Sequence, residues 1–330
     1  MPAITDLASP VPGFPAQTLP SGPARLAYIL SASHSGSTLL AMLLGAQPEA
    51  CTVGELRAPS MGDTELYQCS CGRRIKECGF WNQVSQSMQR KGIENFHITS
   101  AGTSVVEVGD PYVQRLLEPL LRGKFLETVR DAALGFSGSW RRHLAGVLER
   151  NAALVQVLRE LAGAKIIIDS SKSALHLKYL LRERSLKIRV IWMIRDGRAV
   201  ALSLMGHGLK RGTRRETVAA AAREWRRSNE AAGFLLGRLP ASDWLEVRYE
   251  ELCRQPEAMM RRICQFLDLD PEKMVLDFRS RQQHVLGNEM RLKSTSEIRL
   301  DERWKTELAA EDLEVFQAEA GQLNRQYGYG

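Results

Sequence analysis

The chain has 330 residues, 44% of them apolar and 25% charged, and a net charge of 45 − 38 = +7. That balance excludes wholesale disorder, a collagen-like repeat and a disulfide-stapled mini-protein, and the length supports a substantial core. No run of sequence approaches the ~20 consecutive apolar residues of a membrane-spanning helix.

The opening stretch, MPAITDLASPVPGFPAQTLPSGP, is rich in proline and has neither the basic nor the apolar region of a secretory signal. Residues 1–24 therefore read as a flexible leader, and the protein as cytoplasmic. The first apolar run, 26–30, is short enough for a buried strand. A Ser/Gly loop follows, and 38–44 is almost continuously apolar, as in a buried helix ended by Gly45 and Pro48. Residues 51–53 read as a second strand. From 60 to about 163 the pattern is less regular, with helical periodicity at 112–134 and 140–162, and this stretch reads as a helical insert that shapes an acceptor site.

Regular alternation then resumes. Strands are expected at 165–168, 188–194 and 244–247, and helices at 174–184, 197–205, 213–238 and 256–267. Thr213 is placed as an N-cap with Glu216 in capping-box register, and Pro256 as the first residue of its helix. Strands alternating with helices imply a parallel, doubly wound sheet, whose ligands lie at the carboxyl ends of the strands. From Lys187 to Arg215 eight basic residues face one acid, Asp196, an excess that would attract an anion.

Two motifs fall at such strand ends. In 28–40, YILSASHSGSTLL, a loop of small residues opens a helix, so backbone N–H groups and the helix dipole point at an anion. Ser35, Ser37 and Thr38 add hydroxyls around Gly36. An ordinary nucleoside-triphosphate loop would need Gly-x-x-x-x-Gly-Lys-Ser/Thr, and this chain has Ser31 for the first Gly and Ser37 for the Lys. In 191–203, IWMIRDGRAVALS, Arg195 leaves a strand and Ser203 follows two helical turns on, a guanidinium and a hydroxyl able to grip a second phosphate.

Together these motifs resemble the sulfotransferases that use 3′-phosphoadenosine 5′-phosphosulfate (PAPS), in their bacterial branch, with features shared with tyrosylprotein sulfotransferases. The resemblance runs on through Asp169-Ser-Ser-Lys172, Val247-Arg-Tyr-Glu-Glu-Leu252 and His284-Val-Leu-Gly-Asn-Glu-Met-Arg291, and covers about 26–57 and 165–293. It implies a three-layer α/β sandwich with a mostly parallel, P-loop-like central sheet. It also implies transfer of the sulfuryl group from PAPS to a hydroxyl, releasing PAP. His34, Ser35, Gly36, Ser37 and Thr38 would cradle the 5′-phosphosulfate, and Arg195 and Ser203 the 3′-phosphate. Tyr249 would lie near the adenine. Glu55, in the Gly54-Glu55 element, would be the general base, and Lys172 would face charge building on the bridging oxygen. Many relatives carry Lys or Arg at position 34, where this chain has a histidine, whose charge depends on pH near neutrality.

No metal is called for in this chemistry, and no nucleic-acid partner. A glycan or its precursor is the first expectation for the acceptor. A P-loop-like kinase and a non-catalytic phosphate or nucleic-acid binder using 187–215 stay open as alternatives. The cluster Cys69, Cys71 and Cys78 has partial zinc-like spacing but no near fourth ligand, His97 being too distant in sequence, so packing beside Phe80-Trp81 is the expectation.

Overall fold

The computed structural model describes residues 22–57, 63–117 and 124–330. Most of the expected leader therefore lies outside the described residues. Five strands form one sheet: β1 (Ala24–Ser31), β2 (Ala50–Thr52), β3 (Ile166–Lys172), β4 (Leu186–Ile194) and β5 (Trp244–Arg248), in the order β2-β3-β1-β4-β5. Every pairing in it is parallel.

Both faces of the sheet are buried, and the side chains alternate between two cores, which is why its strands read as continuous apolar runs. Leu26, Tyr28 and Leu30 of β1, with Val190, Trp192 and Ile194 of β4, point into one core. Ala27 and Ile29, with Ile191 and Met193, point into the other. The first core is covered by α2 (Gly79–Arg90), α5 (Gly138–Ala162), α6 (Ala174–Leu180) and the end of α8 (Arg214–Leu236). The second is covered by α1 (Ser37–Gly45) and α10 (Pro256–Phe266), with α9 (Tyr249–Arg254) leading into α10. The result is the three-layer α/β sandwich expected.

Strand and helix bounds agree with the sequence reading to within a few residues, apart from β3, which runs four residues beyond 168, and α6, which stops four short of 184. The Thr213–Glu216 capping box and the proline at the start of α10 are both present. Within the expected helix at 112–134 the described residues form α3 (Pro111–Leu117) and α4 (Lys124–Phe136), and 118–123 lie outside the described residues. The sequence reading passed over α2 and α9, and also α11 (Trp304–Glu307) and α12 (Ala310–Gln326). Helix α12 packs on α7 (Gly197–Gly206) and α8. The packing is close: a Cβ on Gly197 would stand 2.5 Å from Phe316 Cζ and 2.8 Å from Trp225 Cδ2.

Among the described residues no helix is long and apolar enough to cross a membrane.

Candidate active site

The carboxyl ends of all five strands supply the candidate residues. The loop 32–36 leaves β1, Glu55 follows β2, Lys172 ends β3, Arg195 follows β4 and Tyr249 follows β5. Strand β1 lies between β3 and β4, where the strand order reverses, so its loop sits at the crevice that doubly wound sheets use for ligands.

The β1 loop makes its turn through two left-handed residues, His34 (φ 61°) and Gly36 (φ 93°). Gly36 is required twice over. Its φ favours glycine, and a Cβ there would lie 2.5 Å from Tyr249 Cδ2 and 3.1 Å from Met193 Cε. Gly36 is also the N-cap of α1 and leaves that helix start without a side-chain cap. The hydroxyls of Ser31 and Ser35 are buried and have no partner among the described residues, donors held in reserve beside the helix start.

Arg195 and Ser203, expected to act as a pair, meet on His34. Arg195 Nη1 donates to the His34 carbonyl at 2.9 Å, and Ser203 Oγ shares a hydrogen bond with His34 Nδ1 at 3.1 Å. The other end of the guanidinium donates to the Asp301 carbonyl and to its Oδ2, both at 3.1 Å. Tyr249 exposes only 6% of its surface; its ring carries the Arg195 guanidinium 4.3 Å from its centroid, and its hydroxyl donates to Arg299 O at 3.2 Å. Tyr249 thus holds both the loop glycine and the arginine in place.

Burial, with His207, Lys172 and Arg195 nearby, pushes the His34 imidazole down to about 4, so in the ligand-free protein it is neutral at pH 7. The His207 ring lies 4.5 Å from it. Beyond Ser203 and His207 opens a cleft of about 500 Å³, lined also by Lys210, Arg214, Thr217 and Arg303.

On the other side of β1, Lys172 Nζ donates to Glu55 Oε1, a contact 16% and 10% exposed at the two side chains. The loop that carries Glu55 is fastened to the end of β3. Ser170 N donates to Gly54 O at 2.8 Å, Leu56 N to Asp169 Oδ1 at 3.0 Å, and Arg57 N to Ser171 Oγ at 3.0 Å. Asp169 also accepts from Ser171 N at 2.9 Å. It is fully buried, its second oxygen has no partner among the described residues, and burial pushes its carboxyl up to about 6. Gly54 (φ 81°) lets Leu286 approach: Leu286 N donates to Val53 O at 2.8 Å, and Leu286 O lies where a Cβ on Gly54 would stand. Gly287 lies directly against Glu55; a Cβ there would be 2.9 Å from Glu55 Oε1.

Four groups of this site were missed as functional by sequence reasoning. Asp169 left a signal, a carboxylate closing the apolar strand Ile166-Ile-Ile. Glu250 lay inside the resembling stretch 247–252 but had no role assigned to it, and Asp301 and Asn324 left no signal, because they arrive from distant segments. Asp301 is held well below the usual carboxylate range, first by Arg303 and then by Arg195. Glu250 Oε1 accepts from Asp196 N at 3.1 Å, and Asn324 Oδ1 from Gly197 N at 2.9 Å, which fixes the turn after Arg195.

The basic stretch 187–215 differs from its sequence reading as one uncompensated field. Arg189, Arg195, Arg198 and Arg214 each pair with a carboxylate: Asp268, Asp301, Asp196 and Asp312. The cysteine cluster also gains a member, since His284 joins Cys69, Cys71 and Cys78.

Residues 27–273 match the model of the sulfotransferase family. The chain belongs to that family. Its structure is similar to the sulfotransferase domain of an olefin synthase from Synechococcus PCC 7002, with a TM-score of 0.51 at 21% identity over 94% of this chain and 96% of that one. It is also similar to a sulfotransferase domain from the curacin biosynthetic pathway, with a TM-score of 0.49 at 18% identity over 94% and 99% of the two chains. At that identity the first likeness speaks to the fold, which is the sulfotransferase fold. No curated protein matches the chain.

Proposed function

We propose that this sulfotransferase moves the sulfuryl group of PAPS to an acceptor hydroxyl and releases PAP, with residues 25–330 acting as one domain. The observation that carries this reading is the adjacency, across β1, of an anion cradle and a carboxylate–ammonium pair.

The chemistry follows from what each group can do. The start of α1, with Ser35, Gly36, Ser37 and Thr38, presents donors to the 5′-phosphosulfate. Neutral His34 can donate one hydrogen bond to the transferring group without adding a full charge. Arg195 and Ser203 receive the 3′-phosphate, which takes over the guanidinium donors now spent on Asp301; Arg offers the forked geometry a phosphate requires. Tyr249 keeps Arg195 in position and borders the adenine side.

Glu55 accepts the proton of the attacking hydroxyl, and Lys172, in contact with it, faces the oxygen that leaves with PAP. In-line sulfuryl transfer has a loose transition state akin to phosphoryl transfer, so positioning and electrostatics carry the catalysis. The insert at 60–163 borders the acceptor, for which a glycan hydroxyl is our first assignment. The six free cysteines suit a reducing, cytoplasmic setting.

The test is PAP release from PAPS in the presence of sugar, phenolic, lipid-alcohol and tyrosyl-peptide acceptors, each compared with magnesium-ATP as donor. Sulfated product from PAPS is expected. Phosphorylated product from ATP, with PAPS inert, would replace this reading with that of a kinase.

A further inference from the structure

A second constellation lies away from the strand-end cradle. Residues 67–78 double back in a tight loop closed by an antiparallel bridge between Gln68 and Arg74, with Cys69 N donating to Arg73 O at 2.9 Å. The turn brings Cys69 and Cys71 beside Cys78, which precedes α2. The segment after Phe278 then returns to lay His284 on the same spot, 206 residues from Cys78 in sequence.

One ligand atom from each of these four residues lies within 4.8 Å of all the others. Cys71 Sγ and Cys78 Sγ are 3.7 Å apart, His284 Nδ1 is 3.4 Å from Cys78 Sγ, and His284 Nδ1 is 3.7 Å from Cys69 Sγ. A zinc ion at the centre of a tetrahedron, with Zn–S of about 2.3 Å and Zn–N of about 2.0 Å, sets S···S near 3.8 Å and S···N near 3.5 Å. The three distances fit that tetrahedron. The ring of His284 is fixed by Phe80, stacked at 4.5 Å with an interplanar angle of 5°. Cys69 and Cys78 are fully buried and His284 is 8% exposed.

We propose that Cys69, Cys71, Cys78 and His284 bind one structural zinc ion. Three thiolates and one imidazole are the soft, tetrahedral donor set that zinc takes. Four protein ligands leave no open position for water, so the ion serves architecture. Binding displaces the protons of the three thiols to solvent, and the occupied site carries one net negative charge.

The site has a definite mechanical consequence. It joins the 67–78 loop to the segment 283–287, which is otherwise held by the Ser70 hydroxyl, donating to Gln283 O at 2.5 Å and accepting from Val285 N at 2.7 Å. Gly287 N donates to the Tyr67 hydroxyl at 2.9 Å. The same segment lies along Val53, Gly54 and Glu55. Zinc would therefore clamp the wall behind Glu55, whatever reaction the rim performs.

The test begins with the full chain, produced with zinc and passed through gel filtration, and its metal content measured by mass spectrometry. One zinc per chain is expected. Protein grown on cobalt should show the thiolate charge-transfer and intense d–d absorption of a tetrahedral site. His284→Cys should keep the metal, because four thiolates also bind zinc, while Cys78→Ser and Cys71→Ser should lose it. Stripping the ion with a chelator should lower the melting temperature by several degrees. Wild-type protein that folds and holds under a tenth of an equivalent of metal, or that carries a Cys71–Cys78 disulfide, would overturn the proposal. Should Cys78→Ser fail to fold, wild-type stoichiometry and the His284→Cys variant still decide.

Discussion

On the β1–β4 side of the rim, a half-buried imidazole is flanked by the Arg195 guanidinium, beside a cleft holding Lys210 and Arg214. On the β2–β3 side, a carboxylate and an ammonium touch each other, and a second carboxylate, Asp169, is buried behind them. Desolvation drives one half-buried and one fully buried group toward their neutral forms from opposite directions: His34 down to about 4, Asp169 up to about 6. The contrast teaches how one rim separates its tasks. On the proposed reading, the β1–β4 side offers an anion the Arg195 guanidinium now paired with Asp301, while the β2–β3 side would use its touching carboxylate and ammonium for proton transfer and the leaving oxygen.

The largest effect expected of breaking this division is that of Glu55→Gln. Removing a general base should cut turnover by roughly 10²–10⁴-fold while PAP affinity stays nearly constant. Steady-state kinetics beside calorimetric binding checks it, and an equal loss of PAP affinity would move Glu55 to the donor side.

Next comes Asp169. Its folded pKa of about 6 lies above the ordinary 3.8, so between those values the folded state holds more protons than the unfolded one, and stability falls as pH rises. The penalty above pH 6 amounts to about 3 kcal/mol at most. Asp169→Asn should remove it, so that in urea unfolding across this window stability rises with pH instead of staying nearly level.

His34 has the opposite sign and an effect of similar size. Its folded pKa of about 4 lies below the ordinary 6.5, so its contribution is complete above pH 6.5 and is lost as pH falls toward 4. The two slopes oppose in the wild type. Asp169→Asn should unmask the rise with pH due to His34, and His34→Gln the fall due to Asp169. Imidazole titration by NMR should place His34 near 4; a value near 6.5 would show that the imidazole is not desolvated.

Much of the sheet and both halves of the rim were legible in the sequence, because they are local. Strand, turn and helix follow in direct succession at 24–45 and 186–206, and the residues at each turn are of the types an anion site needs. Illegible were the contacts that join distant segments. Asp301 reaches Arg195 across 106 positions, Asn324 reaches Gly197 across 127, and His284 reaches Cys78 across 206. No spacing rule connects them; only the folded sheet does. Helix α12 escaped notice for a related reason, since its apolar face is completed by Trp225 and Val200 of other helices. The insert was read as helical, but Phe125 and Phe136 on α4 are exposed where a simple amphipathic pattern would bury them.

The most direct test of the central claim is calorimetric titration of the protein with PAP, 5′-AMP and magnesium-ATP, repeated on Arg195→Ala. Charge-assisted bonds from Arg195 to the 3′-phosphate should make PAP bind about 10²-fold more tightly than 5′-AMP, and the substitution should erase that difference. Equal affinity for PAP and 5′-AMP, or binding of magnesium-ATP alone, would contradict the account.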